Sequence, residues 1–260
     1  MHIPRKRFGQ HFLCDQSVIH RIVHAIAPSR GEHLIEIGPG QGAMTLPLMK
    51  QMHEMEVIEL DRDLIDELSS RVQPFGRLQV HNQDVLTFDF TAARSDDRLL
   101  RVVGNLPYNI STPLIFHLLD HAAVIKDMVF MLQKEVADRL AAAPGSHAYG
   151  RLSVMVQYHC EATHLFDVAP SAFYPPPKVQ SSIIRLRPYA KRPCVANDEK
   201  HFETLVKAAF ATRRKTLRNN LKTMVPDELW TVLNIDPGLR AEVLPVSDFV
   251  RLSNALTEKE

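Results

Sequence analysis

The chain has only three cysteines, Cys14, Cys160 and Cys194, and no two of them form a C-x-x-C pair. A disulfide framework is therefore excluded, and a reducing compartment is the simplest setting. No stretch approaches the ~20 apolar residues of a membrane span, and no apolar run follows the charged N-terminus as a secretion signal would require. An excess of one charge sign is also missing. The chain nets +1, so a purely electrostatic nucleic-acid binder is not indicated. Internal repeats and low-complexity segments are absent. What remains is an ordinary globular composition, 45% hydrophobic and 23% charged, long enough for one large domain or one domain with a small appendage. These features together predict a protein of the cytoplasm that does not enter membranes.

The charge that is present is unevenly placed. Arg5, Lys6 and Arg7 stand near the N-terminus with no acid beside them. Lys200, Lys207, Arg213, Arg214, Lys215, Arg218 and Lys222 face only Glu203 in their segment, so the rest of the chain is net acidic. Basic patches on an acidic body suit a protein that touches a polyanion with part of its surface.

Short apolar strands alternate with helical patterns over the first two thirds of the chain. Ile19, Ile22, Val23 and Ile26 have helical spacing, with Asp15 or Ser17 as the N-cap. Strands are expected at 33–38, 56–60, 78–80, 99–106 and 128–132, with helices at 43–52, 63–72, 111–121 and 134–142 between or after them. Residues 150–160 favour a helix, and two late strands near 164–168 and 182–186 flank a proline-rich loop. Such alternation predicts an α/β fold: a mostly parallel central sheet with helices on both faces. After Arg187-Pro188 the pattern becomes purely helical, so domains of 1–188 and 189–260 are expected. Phe202, Leu205, Val206, Ala209, Phe210, Leu217, Leu221 and Met224 mark one face of a helix. Arg214, Arg218 and Lys222 then form a stripe at i, i+4 and i+8, while Arg213 falls on the apolar face and is expected to pair with an acid across the domain interface.

Glu36-Ile37-Gly38-Pro39-Gly40-Gln41-Gly42 joins the first of these strands to a helix. Gly38 and Gly40 allow backbone N–H groups to approach a ligand closely. Gly38-x-Gly40-x-x-Ala43 also fits a dinucleotide fingerprint, with Glu59 about twenty residues on. Glu59 ends the second strand, where its carboxylate can accept both hydroxyls of a ribose. Asp84 follows the third strand and can accept from an adenine amino group. Contacts from successive strand ends point to a bound adenosine. These acids do not separate a nicotinamide cofactor from S-adenosylmethionine.

The fourth strand end does separate them. It carries Asn105-Leu106-Pro107-Tyr108. An adenine N6 amine is a poor nucleophile because its lone pair is delocalised into the ring. The Asn105 side-chain oxygen and the Leu106 carbonyl can each accept one of its N–H bonds, and Pro107 shapes the turn so that they converge. Tyr108 offers a ring for stacking, and Phe173, ahead of Pro175, Pro176 and Pro177, is the candidate clamp for the opposite face of the base. The methyl of a sulfonium donor is already activated, so no metal is expected.

These motifs, with Arg5 to Leu13, Glu59-Leu60-Asp61-Arg62, Gly104 to Ser111, Phe173 to Val179 and Arg213 to Asn219, resemble the KsgA-type ribosomal RNA adenine dimethyltransferases over nearly the whole chain. The resemblance implies a Rossmann-like class I methyltransferase fold with a small helical C-terminal domain that binds RNA. It implies S-adenosylmethionine as donor, and dimethylation of N6 on two adjacent adenosines in the 3′-terminal hairpin of small-subunit rRNA. The substrate particle would be a late 30S precursor, and the enzyme would act as a monomer. Gly38, Glu59, Asp84 and Asn105 are carried over as cofactor contacts, joined by His11 and by Leu13 acting through its backbone. Arg5, Lys6, Arg7, Arg214, Lys215, Arg218 and Lys222 become the expected RNA contacts. The rivals are a large-subunit methyltransferase of the macrolide-resistance type, a DNA adenine methyltransferase, a non-catalytic assembly factor and a nicotinamide dehydrogenase. The last gives Asn105 to Tyr108 no role.

Overall fold

A computed structural model describes residues 11–258. The contacts divide these into two units: residues up to 137 with 163–188, and residues 138–162 with 189 onward. The stretch 138–162, expected in the first domain, is thus grouped with the C-terminal helices.

In the first unit, β1 (Phe12–Leu13) precedes α1 (Gln16–Ile26). The strands that follow are β2 (His33–Ile37), β3 (Glu54–Ile58), β4 (Arg77–His81), β5 (Leu100–Asn105), β6 (Ile125–Gln133), β7 (Cys160–Val168, in this unit from Thr163), β8 (Phe173–Tyr174) and β9 (Ser181–Pro188). Seven of them form one sheet in the order β4-β3-β2-β5-β6-β9-β7. Strands β2 to β6 pair in parallel and β9 runs antiparallel to β6. The remaining two, β1 and β8, pair antiparallel, with Phe12 opposite Tyr174 and Leu13 opposite Phe173.

All five residues of β2 are buried, as a parallel strand covered on both faces requires. Helix α1 starts at Asp15, whose carboxylate accepts from the Ser17 and Val18 N–H groups, so Asp15 and not Ser17 is the cap. Its apolar stripe, Val18, Ile19, Ile22, Val23 and Ile26, packs into a core with Leu34, Leu48, Met49 and Val57. Each such side chain stabilises the fold by about 1.5–3 kcal/mol. The helix ends on Arg101, which is 5% exposed and donates to the Ile26 and Ala27 carbonyls, to Glu32 and to both oxygens of Asp127.

Because β2 and β5 are neighbours while β3 and β6 lie outside them, the chain leaves β2 in one direction and β5 in the other. That reversal opens a crevice beyond their C-terminal ends, where open α/β sheets bind ligands.

The second unit carries α7 (Arg151–His159), which follows α2 (Thr45–Met52), α3 (Arg62–Val72), α4 (Phe90–Ala93), α5 (Ser111–Asp120) and α6 (Lys134–Leu140) in the chain. Beyond the last strand come α8 (Glu199–Ala209), α9 (Leu217–Leu221), α10 (Asp227–Val232) and α11 (Val246–Thr257). The single helix expected over 202–224 is broken. Asn220 Nδ2 donates to the carbonyls of Ala209 and Thr212, and the Leu217 N–H bonds to the Leu239 carbonyl. Those partners satisfy the end of one helix and the start of the next, so residues 210–216 turn instead of continuing.

Candidate functional site

One cleft gathers the ends of β2, β3, β4 and β5, and its lining includes His11, Leu13, Glu36, Gly38, Gly40, Glu59, Asp84 and Asn105 to Tyr108. Gly38 and Gly40 have φ values of 63° and 54°, the left-handed region that favours glycine. A Cβ on Gly40 would stand 3.3 Å from the Phe12 ring. Backbone conformation at both positions, and close approach to Phe12 at Gly40, therefore favour glycine.

Glu59 is 8% exposed, with Oε1 accepting from the Asp61 N–H at 2.9 Å and Oε2 from the Gly40 N–H at 3.3 Å. Burial raises its carboxyl above the usual range, against those backbone bonds. Asp84 is exposed at the cleft edge and caps the turn after β4, with Oδ1 accepting from the Leu86 N–H. Two backbone-anchored carboxylates thus face the cleft from neighbouring strand ends.

Asn105 is fixed by its own amide. Nδ2 donates to the His11 carbonyl at 3.3 Å, which leaves Oδ1 without a partner among the described residues. Leu106 is buried, 1% exposed as a whole residue, and its N–H bonds to the Met131 carbonyl. Its own carbonyl accepts nothing among the described residues. Two adjacent oxygens, Asn105 Oδ1 and Leu106 O, are left as acceptors at the end of β5. The Tyr108 ring stacks against His11 with centroids 6.0 Å apart, and its hydroxyl lies 2.9 Å from Ser181 Oγ. Burial raises the phenol above its ordinary value, so it stays neutral. The His11 ring is itself held, with Nδ1 donating to the Pro175 carbonyl at 2.7 Å.

Phe173 is not where the sequence suggested. It is 4% exposed, belongs to the core with Leu13 and Ile183, and is not part of the cleft lining. Successive residues of a strand face opposite ways, so opposite Leu13 Phe173 turns inward, and Tyr174, 67% exposed, turns outward.

Sequence reasoning missed Glu36. It is 1% exposed, Thr45 Oγ1 donates to its Oε2 at 2.6 Å, and it lines the cleft. Desolvation raises its carboxyl to about 7, with the nearby Glu59 charge adding to the rise. An acid inside the apolar run His33-Leu34-Ile35-Glu36-Ile37 was the available signal. Leu60, 53% exposed on the cleft, was also missed.

The basic residues divide. Arg5, Lys6 and Arg7 lie outside the described residues. Arg214 and Lys215 sit in the turn before α9, not on a helix, so the expected stripe with Arg218 and Lys222 does not form. Arg214, Lys215 and Lys222 are exposed with no counter-ion among the described residues, whereas Arg218 lies 3.5 Å from Asp227. Arg213 pairs with Glu242 at 3.5 Å and donates to the His147 carbonyl, both within its own unit and not across an interface.

Comparison with known proteins bears on the chain as a whole. A model of the ribosomal RNA adenine dimethylase family matches residues 1–258. A ribosomal RNA small subunit methyltransferase A from Pseudomonas aeruginosa is 56% identical over 257 residues, 99% of this chain and 96% of that protein. One from a Marinomonas species is 53% identical over 259 residues, 100% of this chain and 97% of its own length. Among solved structures, a dimethyladenosine transferase from Plasmodium falciparum superposes with a TM-score of 0.82 at 26% identity, covering 96% of this chain and 98% of that one. The 23S rRNA methyltransferase ErmE superposes with a TM-score of 0.75 at 25% identity, covering 95% and 99%. Both share the class I methyltransferase fold found here.

Proposed function

Because the chain belongs to the ribosomal RNA adenine dimethylase family, we propose that it transfers methyl groups from S-adenosylmethionine to N6 of two adjacent adenosines in the 3′-terminal hairpin of small-subunit rRNA. The observation that carries this reading is the pair of unpartnered acceptors, Asn105 Oδ1 and Leu106 O, at the mouth of a cleft lined by Glu36, Glu59 and Asp84.

The cleft fits the donor on its own chemistry. Two buried carboxyls, both raised by desolvation and Glu36 also by the Glu59 charge, favour a cationic occupant, and S-adenosylmethionine carries both a sulfonium and an ammonium group. Glu59 would take the ribose hydroxyls and Asp84 the adenine amino group, with the Gly38–Gly40 turn and the His11–Leu13 backbone along the rest of the ligand. Bound there, the donor supplies a methyl group already activated by positive sulfur.

The chain's own work is positioning. Asn105 Oδ1 and Leu106 O accept the two N–H bonds of a target amine, which draws its lone pair out of conjugation and aims it. The His11 carbonyl keeps the Asn105 amide from turning over. Tyr108 supplies the stacking face for an extruded base. Holding the reactants in line accounts for most of the expected acceleration.

Exposed Arg214, Lys215, Arg218 and Lys222, together with Arg5, Lys6 and Arg7, are proposed to contact phosphates of the RNA. The substrate would be a late 30S precursor met in the cytoplasm by a monomeric enzyme. Relatives named for the small subunit favour this RNA over the large-subunit alternative.

Incubation with labelled S-adenosylmethionine and unmethylated small subunits should place label in the 3′-terminal hairpin. Label confined to large-subunit rRNA, or none at all, would overturn the proposal. Asn105→Ala should lose transfer while keeping subunit binding.

A further inference from the structure

Tyr108 is the one aromatic ring of the Asn105–Tyr108 turn, yet nothing in the turn itself holds its hydroxyl. Its partner comes from 73 residues away: Ser181 Oγ, at 2.9 Å. Ser181 is fully buried and does not line the cleft. It begins β9, where it pairs with Gln133 at the end of β6. Leu106, two residues before Tyr108, is bonded to Met131 on that same β6 strand. The turn and the ring's tip are therefore tied to one strand pair, one through the backbone and the other through a hydroxyl.

We propose that Ser181 is a positioning residue for methyl transfer: its hydroxyl pins the Tyr108 hydroxyl and so fixes the direction of the ring against which the target adenine stacks, while the His11 stack sets the ring's plane. A tyrosine ring swings about two side-chain torsions. His11 supports one face, but a stacked ring at 6.0 Å leaves rotation in that plane open. The hydrogen bond at the far end of the ring closes it. The burial that keeps the phenol neutral also keeps both hydroxyls in the pair able to donate and accept. Ser181 acts through Tyr108 and touches neither donor nor base.

This inference rests on the proposed reaction, and a double-mutant cycle separates the two. Wild type, Ser181→Ala, Tyr108→Phe and the double variant are assayed for label transfer to unmethylated small subunits. Their melting temperatures and S-adenosylmethionine affinities are measured alongside. Ser181→Ala should lower kcat about fivefold, the scale of one lost hydrogen bond, with donor affinity unchanged. In the Tyr108→Phe background, which has already lost the bond, the same substitution should cost nothing further. A merely structural role for Ser181 would instead lower kcat by the same factor in both backgrounds. Either that additivity or a Ser181→Ala chain with wild-type kcat overturns the proposal. Should Ser181→Ala not fold, Ser181→Cys keeps the volume and weakens the bond, and the same non-additivity is required of it. Failure of wild type to transfer label would instead defeat the proposed function.

Discussion

Gly104 sits one residue before Asn105 and packs its backbone directly against β2. A Cβ added there would lie 2.7 Å from the Ile37 carbonyl oxygen, 3.1 Å from Leu106 Cδ2 and 3.3 Å from Ile37 Cβ. Ordinary contact begins near 3.4 Å, so Gly104→Ala must part β2 from β5 by about 0.7 Å. The obstacle is a backbone atom in a paired strand, which cannot swing aside as a side chain would. Two consequences follow from that displacement. Overpacking of this kind costs about 1–3 kcal/mol, which in a chain of this size lowers the melting temperature by roughly 5 °C. The same movement shifts Asn105 Oδ1 relative to Gly38, the first strand end of the cleft. Since a 1 Å misplacement of reacting groups costs on the order of a hundredfold, kcat should fall about ten- to a hundredfold. The assay is label transfer to unmethylated small subunits under saturating donor, with melting followed by circular dichroism. A Gly104→Ala enzyme with both kcat and melting temperature of wild type would refute the geometry from which the displacement is drawn.

Further substitutions test other parts of the structure. Burial raises Glu36 to about 7 from 4.5, so between those values the folded chain holds a proton that the unfolded chain has released. Stability of the donor-free protein should then fall by about 3 kcal/mol as pH rises through that window. Glu36→Gln should flatten the slope of urea midpoints across it, and an unchanged slope would reject the burial argument. Arg101→Met strands the buried Asp127 carboxylate and the Ile26 and Ala27 carbonyls, so it should cost about 3–5 kcal/mol in urea unfolding, with part recovered by adding Asp127→Leu. Phe173→Ala should destabilise by about 3–5 kcal/mol as a core truncation, whereas Tyr174→Ala, at an exposed position, should change stability by less than about 0.5 kcal/mol. The reverse order would return Phe173 to the cleft.

The strand ends of the cleft were legible because the α/β pattern orders them in the chain itself. Each apolar run in the first half is followed within one to four residues by the candidate that the sequence singles out, and all four line the cleft: Gly38, Glu59, Asp84, then Asn105. Local spacing is enough to find such positions, and parallel pairing brings them together without further information. The long-range features were not legible for the corresponding reason. Phe173 and Tyr174 form a strand of only two residues, too short for a period, and which ring faces inward is decided by pairing with Leu13 far upstream. Apolar spacing ran on unbroken from Phe202 to Met224. The stop at 210 comes from the Asn220 side chain folding back on Ala209 and from the Leu239 carbonyl, neither of which a helical period records.

His11 joins both classes of feature. Its position in the chain marked it only through resemblance, and as a contact for the donor. Its backbone carbonyl fixes the Asn105 amide, its ring supports Tyr108, and its Nδ1 donates to the Pro175 carbonyl of the proline-rich loop. A residue placed before the first helix therefore connects the Asn105 amide and the Tyr108 ring with the segment that follows Phe173. The Asn105–Tyr108 turn, to which the proposed chemistry is assigned, takes its shape from partners on both sides in the chain: His11 upstream, Met131 and Ser181 downstream.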